Sequence, residues 1–546
     1  MQLYTIVYLV IALIAADNAN AVHVNTTLGT ILGTALKSRL GIDFKAFRGI
    51  RYASAPVGIL RFRNPIPYLP WKPNIYDATQ DGPMCPQVTE NITDLSEDCL
   101  RLNVYTRDIR GRKPVVVYLH PGGFYSVSGQ SKNFAGPEHL MDRDIVLVTL
   151  NYRLGTLGFL AVGSAEAPGN AGLKDQVEAL RWVQRHISNF GGDPNSVTLL
   201  GYSAGSFSIG LHMMSPMSKE LFHRAIMMSS TPLGQFHFEK HQKILSDRQA
   251  ELLNCPREPA AILVDCLNQK SMMDFVNTQE QMFDFNWNPI FNWFPVIEED
   301  FGQERFLVEQ PYKSVLTKNL HKVPLLIGIT QHEFIGGAYN LLNNETTKAW
   351  LNEDFDKYAP IAVIYERDTP RSKCISKTFK TKYLSNTTLE LPDSLEPFGK
   401  LYSDGVIGFS YHRFLDLISQ VIPVYTYLFT YSGRYSHFYL DNKVYGAVHH
   451  DELLYIFRVP GMTPPFKQTD PENDVIENVA RMWTEFAKKG DPNNKNDPYL
   501  KSLSWPLYSQ GSKPYLVIDK NLSVSDGGIF TERFKIWDQV FPVPKF

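Results

Sequence analysis

The sequence predicts an α/β fold: a central, mostly parallel twisted sheet covered by helices on both faces. Two observations carry this. First, the strands lack alternation. "VVVYL" at 115–119 and "IVLVTL" at 145–150 hold no charged residue, and "SVTLLG" at 196–201 and "VPLLIG" at 323–328 follow suit. Runs of this kind are buried on both faces, as strands of a parallel sheet are. Second, amphipathic helical patterns occur between and after them. Val177, Leu180, Val183 and Ile187 recur at helical spacing, as do Val475, Val479, Met482, Trp483 and Phe486. Gly490-Asp491-Pro492 ends the second pattern. "YTYLFTY" at 425–431 alternates, and is expected as a further strand near the far edge.

The first segment is a leader. An apolar run from Leu3 to Ala16 is followed by Ala19-Asn20-Ala21, a small-x-small cleavage pattern. Residues 1–21 therefore read as a secretory signal peptide, too short to span a bilayer comfortably. No other apolar run reaches 18 residues, so no membrane span is expected. Export fits five glycosylation sequons, at Asn25, Asn91, Asn344, Asn386 and Asn521. It also fits the cysteines. In an oxidising compartment Cys85–Cys99 and Cys255–Cys266 are the natural local bridges. Cys374 is left as a buried free thiol or an intermolecular link.

Composition narrows the function classes. Hydrophobic residues make up 44% and charged residues 20%, ordinary for a globular chain. A net charge of −2 argues against nucleic acid as a partner, because phosphate recognition wants a basic face.

The chemistry begins at "LLGYSAGS", 199–206. Gly201-Tyr202-Ser203-Ala204-Gly205 follows a buried strand and precedes a helical start at Phe207, Ile209 and Met213. Strand, tight turn and helix form the context of a nucleophile elbow, which projects the serine hydroxyl outward. The alternative is a structural serine in a small-residue bend. Upstream, Gly122-Gly123 follows the strand at 115–119. Glycines there let backbone N–H groups approach a ligand closely. With the Ala204 N–H they offer three donors to an oxyanion.

The segments "FRGIRYASAPVGILRF" (47–62), "SEDCLRLNVY" (96–105), "NYRLGTLGF" (151–159) and "GNAGLKDQVEALRWVQRHISNFGGDP" (169–194) accompany the elbow. With them the chain resembles the type-B carboxylesterases. That α/β-hydrolase family includes the cholinesterases and many secreted insect esterases. The resemblance runs from residue 47 to the end and implies one domain over 22–546. It implies a triad in the order serine, acid, histidine: Ser203, then Glu333 in "GITQHE", then His449 in "GAVHHDE". His450, one position on, is expected to point elsewhere on its loop. Ser229 matches a serine that supports the triad, and Tyr202 flanks the nucleophile. Asp175 and Arg153 match buried structural positions. The implied bridges are the same two local pairs. No metal or cofactor is implied.

Three departures mark this chain. Tyr202 stands where the family usually has glutamate, replacing a buried anion by a neutral ring. The oxyanion loop reads His-Pro-Gly-Gly rather than His-Gly-Gly-Gly, but Pro121 precedes the required donors. The loop between Cys85 and Cys99 has no tryptophan to hold a quaternary ammonium by cation–π attraction. The expectation is a secreted hydrolase of small-molecule, uncharged, apolar esters. The alternative is a catalytically weak ester-sequestering or adhesion-type member of the same fold.

Overall fold

The structure is a computed structural model that describes residues 21–546. The leader expected at 1–21 lies outside the described residues, apart from Ala21, which opens the first strand.

Thirteen strands form the main sheet. They are β1 (Ala21–Asn25), β2 (Thr30–Lys37), β3 (Asp43–Arg51), β4 (Ile75–Asp77), β5 (Arg101–Thr106), β6 (Lys113–Leu119) and β7 (Val146–Leu150). Then follow β8 (Gly192–Tyr202), β9 (Arg224–Met228), β10 (Leu325–Thr330), β11 (Val424–Phe429), β12 (Tyr515–Ile518) and β13 (Leu522–Ser525). Their order is β1-β2-β3-β5-β7-β6-β8-β9-β10-β11-β12-β13, with β4 beside β2. From β7 to β12 every pairing is parallel, and the outer pairings β1–β2, β2–β3, β3–β5, β5–β7 and β12–β13 are antiparallel.

The apolar runs explain the centre. Every residue of β7, β10 and β11 is buried, as are the last five of β6. Successive side chains point to opposite faces, so β6 divides between two cores. Val115, Val117 and Leu119 pack with Val177 and Leu180 of α1 (Ala171–His186). Val116 and Tyr118 pack with Val479 and Trp483 of α4 (Asn473–Lys489). Between these in the chain come α2 (Ala204–His212) and α3 (Pro370–Leu384). Gly490 ends α4 at φ +76°, the left-handed conformation glycine adopts readily.

One strand is buried more deeply than its alternating sequence suggests. The run at 425–431 gives β11, which is third from the sheet edge and buried throughout. Its aromatic and hydroxyl side chains are taken up by the core on both faces. Tyr425 and Tyr427 pack on Trp505 and Trp483, and the Thr426 hydroxyl pairs with the Tyr411 hydroxyl.

Candidate active site

The parallel block brings its strand ends to one edge, where the loops carry the chemistry. Ser203 directly follows β8. Its φ is +52° and ψ −118°, a strained backbone for a residue with a side chain. Its N–H donates to the Met228 carbonyl at the end of β9, and its carbonyl accepts from Phe207 in α2. Both flanking glycines are sterically required. A Cβ on Gly201 would lie 2.5 Å from the Gly205 backbone, and one on Gly205 would lie 2.0 Å from the Leu119 carbonyl oxygen. Strand and helix can meet this closely only without those side chains.

Glu333 sits three residues past β10, and His449 lies on the loop after β11. An isolated bridge between His332 and Val448 joins the two loops, and the His449 N–H donates to the Glu333 carbonyl at 2.8 Å. The side chains then meet, with His449 Nδ1 2.5 Å from Glu333 Oε2. The other carboxyl oxygen accepts from Ser229 Oγ at 2.6 Å and from the Thr330 N–H at 2.8 Å. Ser229 directly follows β9, so neighbouring strand ends position Ser203, Ser229 and Glu333.

Burial sets the electrostatics. It pushes the Glu333 carboxyl up to about 7, against the hydrogen bonds from Ser229 and Thr330. It also holds the His449 imidazole well below its usual range. His449 is therefore neutral at pH 7. Its Nε2 is buried and has no hydrogen-bond partner among the described residues, Ser203 included. Catalytic hydrogen bonds of this kind often tighten only when substrate binds.

The glycine loop faces the same region. Gly122 and Gly123 hold φ at +107° and +57°. A Cβ on Gly122 would fall 2.0 Å from the Ser126 carbonyl oxygen. His120, which burial keeps neutral, contacts the Pro121 carbonyl through Nδ1 at 2.7 Å. In a trans peptide this turns the following N–H, that of Gly122, the opposite way. The N–H groups of Gly122, Gly123 and Ala204 donate to no protein acceptor among the described residues.

A strained serine, a neutral histidine with a carboxyl on its far nitrogen, and three free N–H donors can together perform acyl transfer. The sequence pattern of the carboxylesterase family matches residues 20–537. The chain belongs to the carboxylesterase family. It is an α/β-hydrolase and a carboxylesterase. The juvenile hormone esterase of Tribolium castaneum is 34% identical over 509 residues, covering 88% of this chain and 85% of the relative. Esterase FE4 of Myzus persicae is 33% identical over 503 residues, with 88% and 86% covered. Among solved structures, the crystal structure of juvenile hormone esterase from Manduca sexta with OTFP covalently attached matches with a TM-score of 0.81. That match has 27% identity and covers 95% of this chain and 99% of the other.

The remaining expected positions of this carboxylesterase lie outside the triad and its oxyanion loop. Cys85–Cys99 and Cys255–Cys266 are disulfides. Asn25, Asn91, Asn344, Asn386 and Asn521 are all exposed. Arg153 and Asp175 form a buried bidentate ion pair at 2.6 and 2.7 Å. Tyr202 is fully buried.

Two expectations need correction. Cys374 is an exposed free thiol, not a buried one. It lies on the outer side of α3, whose Ile375 and Phe379 face the core. His450 does not point elsewhere on the loop. Its ring centroid lies 4.4 Å from that of His449 and 5.1 Å from that of Tyr202. At φ +79° its backbone turns back, so consecutive side chains converge instead of alternating.

Sequence reasoning missed two more residues. Phe334 packs on the His449 ring at 4.3 Å, and Glu452 has its Oε1 3.4 Å from Ser229 Oγ. Phe334 directly follows Glu333, and Glu452 closes the "GAVHHDE" segment that holds His449; those positions were the available signal. Beyond the elbow, Phe207 packs against Phe236, Phe291 and Phe294. Those three rings line a cavity of about 1040 Å³, which Tyr312 and Phe541 also border.

Proposed function

We propose that this carboxylesterase is a secreted serine hydrolase of uncharged, apolar esters, acting through Ser203, His449 and Glu333. His449 Nε2 takes the Ser203 proton as the serine oxygen attacks the ester carbonyl. Glu333 fixes the imidazole tautomer through Nδ1 and stabilises the imidazolium. The N–H groups of Gly122, Gly123 and Ala204 receive the negative charge on the carbonyl oxygen. His449 then protonates the departing alcohol. Water attacks the acyl-serine in the same way, releasing the acid and restoring the serine.

The observation that carries this reading is the state of His449: neutral, oriented by Glu333 on one nitrogen and free on the other. Tyr202, a neutral phenol where the family usually has a glutamate beside the nucleophile, favours uncharged esters. Two disulfides and five exposed sequons favour export.

The test is pre-steady-state hydrolysis of p-nitrophenyl acetate. A burst of one nitrophenol per enzyme is expected, with one serine, Ser203, labelled by an organophosphate. Equal rates for wild type and Ser203→Ala would defeat the reading. Two relatives are named for juvenile hormone, so its ester belongs in the substrate panel. For export, protein recovered from the medium of expressing cells is expected to begin after residue 21.

A further inference from the structure

His450 adopts a left-handed backbone, φ +79°, which costs a residue with a side chain conformational strain. Its N–H belongs to the peptide that leaves His449, so the setting of that peptide helps to set the imidazole. The acceptor of this N–H is the phenol oxygen of Tyr202, at 2.7 Å. Tyr202 ends β8 and directly precedes Ser203. One hydrogen bond across 248 positions thus joins the nucleophile's strand to the histidine's loop.

The surroundings point the same way. The Tyr202 ring stands 5.0 Å from the His449 ring and 5.1 Å from the His450 ring, between the strand end and the loop. The peptide before His449 is held from the other side, by its N–H to the Glu333 carbonyl. His449 is therefore tethered by one backbone hydrogen bond on each flank, and Tyr202 supplies the second. Burial, with Glu333 and Glu452 nearby, keeps the phenol protonated. The acceptor is a neutral oxygen, and no anion is added beside those two carboxyls.

We infer that Tyr202 is a positioning residue: its hydroxyl holds the His449–His450 peptide in its left-handed turn and so aims His449 Nε2 at Ser203. This rests on the triad proposed above.

Strain and tether can be separated experimentally. Rates are taken per organophosphate-titrated site on naphthyl acetate, with a thermal melt for each variant. Tyr202→Phe keeps the ring and removes the acceptor. It is expected to lower kcat roughly ten- to hundredfold with KM little changed, as loss of a buried hydrogen-bond partner implies. In that background His450→Gly, for which φ +79° is unstrained, is expected to recover most of the loss. His450→Ala, which removes the ring but keeps the strain, is expected not to. The inference is overturned if Tyr202→Phe turns over like wild type, or if Gly and Ala at 450 rescue equally. An active Ser203→Ala would instead overturn the triad, so the two failures are distinguishable.

Discussion

Ser229 Oγ donates to Glu333 Oε1 at 2.6 Å and stands 3.4 Å from Glu452 Oε1. One hydroxyl therefore lies between two buried carboxyls. Its single proton goes to Glu333, the nearer. Glu452 is held well above the usual carboxylate range, by burial first and by Glu333 second. It stays protonated, so the two groups do not repel as anions. The charge of the pair is concentrated on Glu333, where His449 can use it.

That arrangement predicts a pH profile. Glu333 is raised to about 7, and only its ionised form supports a developing imidazolium. Then kcat/KM for naphthyl acetate falls as pH drops through about 7. Ser229→Ala removes a donor to the carboxylate form, so the Glu333 pKa rises further. Its acid limb is expected at higher pH than wild type, with roughly tenfold lower activity at pH 7 that recovers in alkali. An unmoved or downward-shifted limb contradicts this account of Ser229.

Gly122 is the most demanding position of the oxyanion loop. A Cβ there meets the Ser126 carbonyl oxygen at 2.0 Å, and φ is +107°. In Gly122→Ala the loop must shift and its donors leave their aim. Losing one such donor costs about 2.7–4 kcal/mol in the barrier. Turnover per titrated site is expected to fall by about 10²–10³, with the melting temperature changing far less. Wild-type turnover in this variant would remove Gly122 from the oxyanion site.

Away from the chemistry, Asp175 bonds both the side chain and the backbone N–H of Arg153, with the two side chains almost fully buried. Asp175→Asn leaves a buried guanidinium without its counter-ion. Breaking such a pair costs about 3–5 kcal/mol. Thermal unfolding should move clearly downward, and an unchanged melting curve would show that the guanidinium finds another partner.

These sites were unequally legible in the sequence. The central strands could be read because burial on both faces excludes charge from 115–119 and 145–150. Ser203 and Gly122-Gly123 could be read because tight backbone geometry demands small residues at fixed places. Glu333 and His449 came from family resemblance alone. Their loops meet through the His332–Val448 bridge, and the side chains are 116 positions apart, so no local pattern announces them. His450 was misjudged because its positive φ is a tertiary outcome: nothing in "VHHDE" specifies it, and the acceptor that holds it sits on another strand.

The same geometry bears on choice of alcohol. A choline ester brings a quaternary ammonium, which needs an anion or an open aromatic face. Among the described residues near Ser203, the anionic candidates are few. Tyr202 is a neutral phenol, Glu452 keeps its proton, and the charge on Glu333 is engaged by His449, Ser229 and Thr330. The Cys85–Cys99 loop contributes no tryptophan. An uncharged aryl ester loses nothing by this. At matched acyl groups, kcat/KM for acetylthiocholine is expected about two- to thirtyfold below that for naphthyl acetate, since a cation–π contact is worth about 0.5–2 kcal/mol. Parity between the two substrates would mean that another group near Ser203 recognises the cation, and the preference for uncharged esters would have to be abandoned.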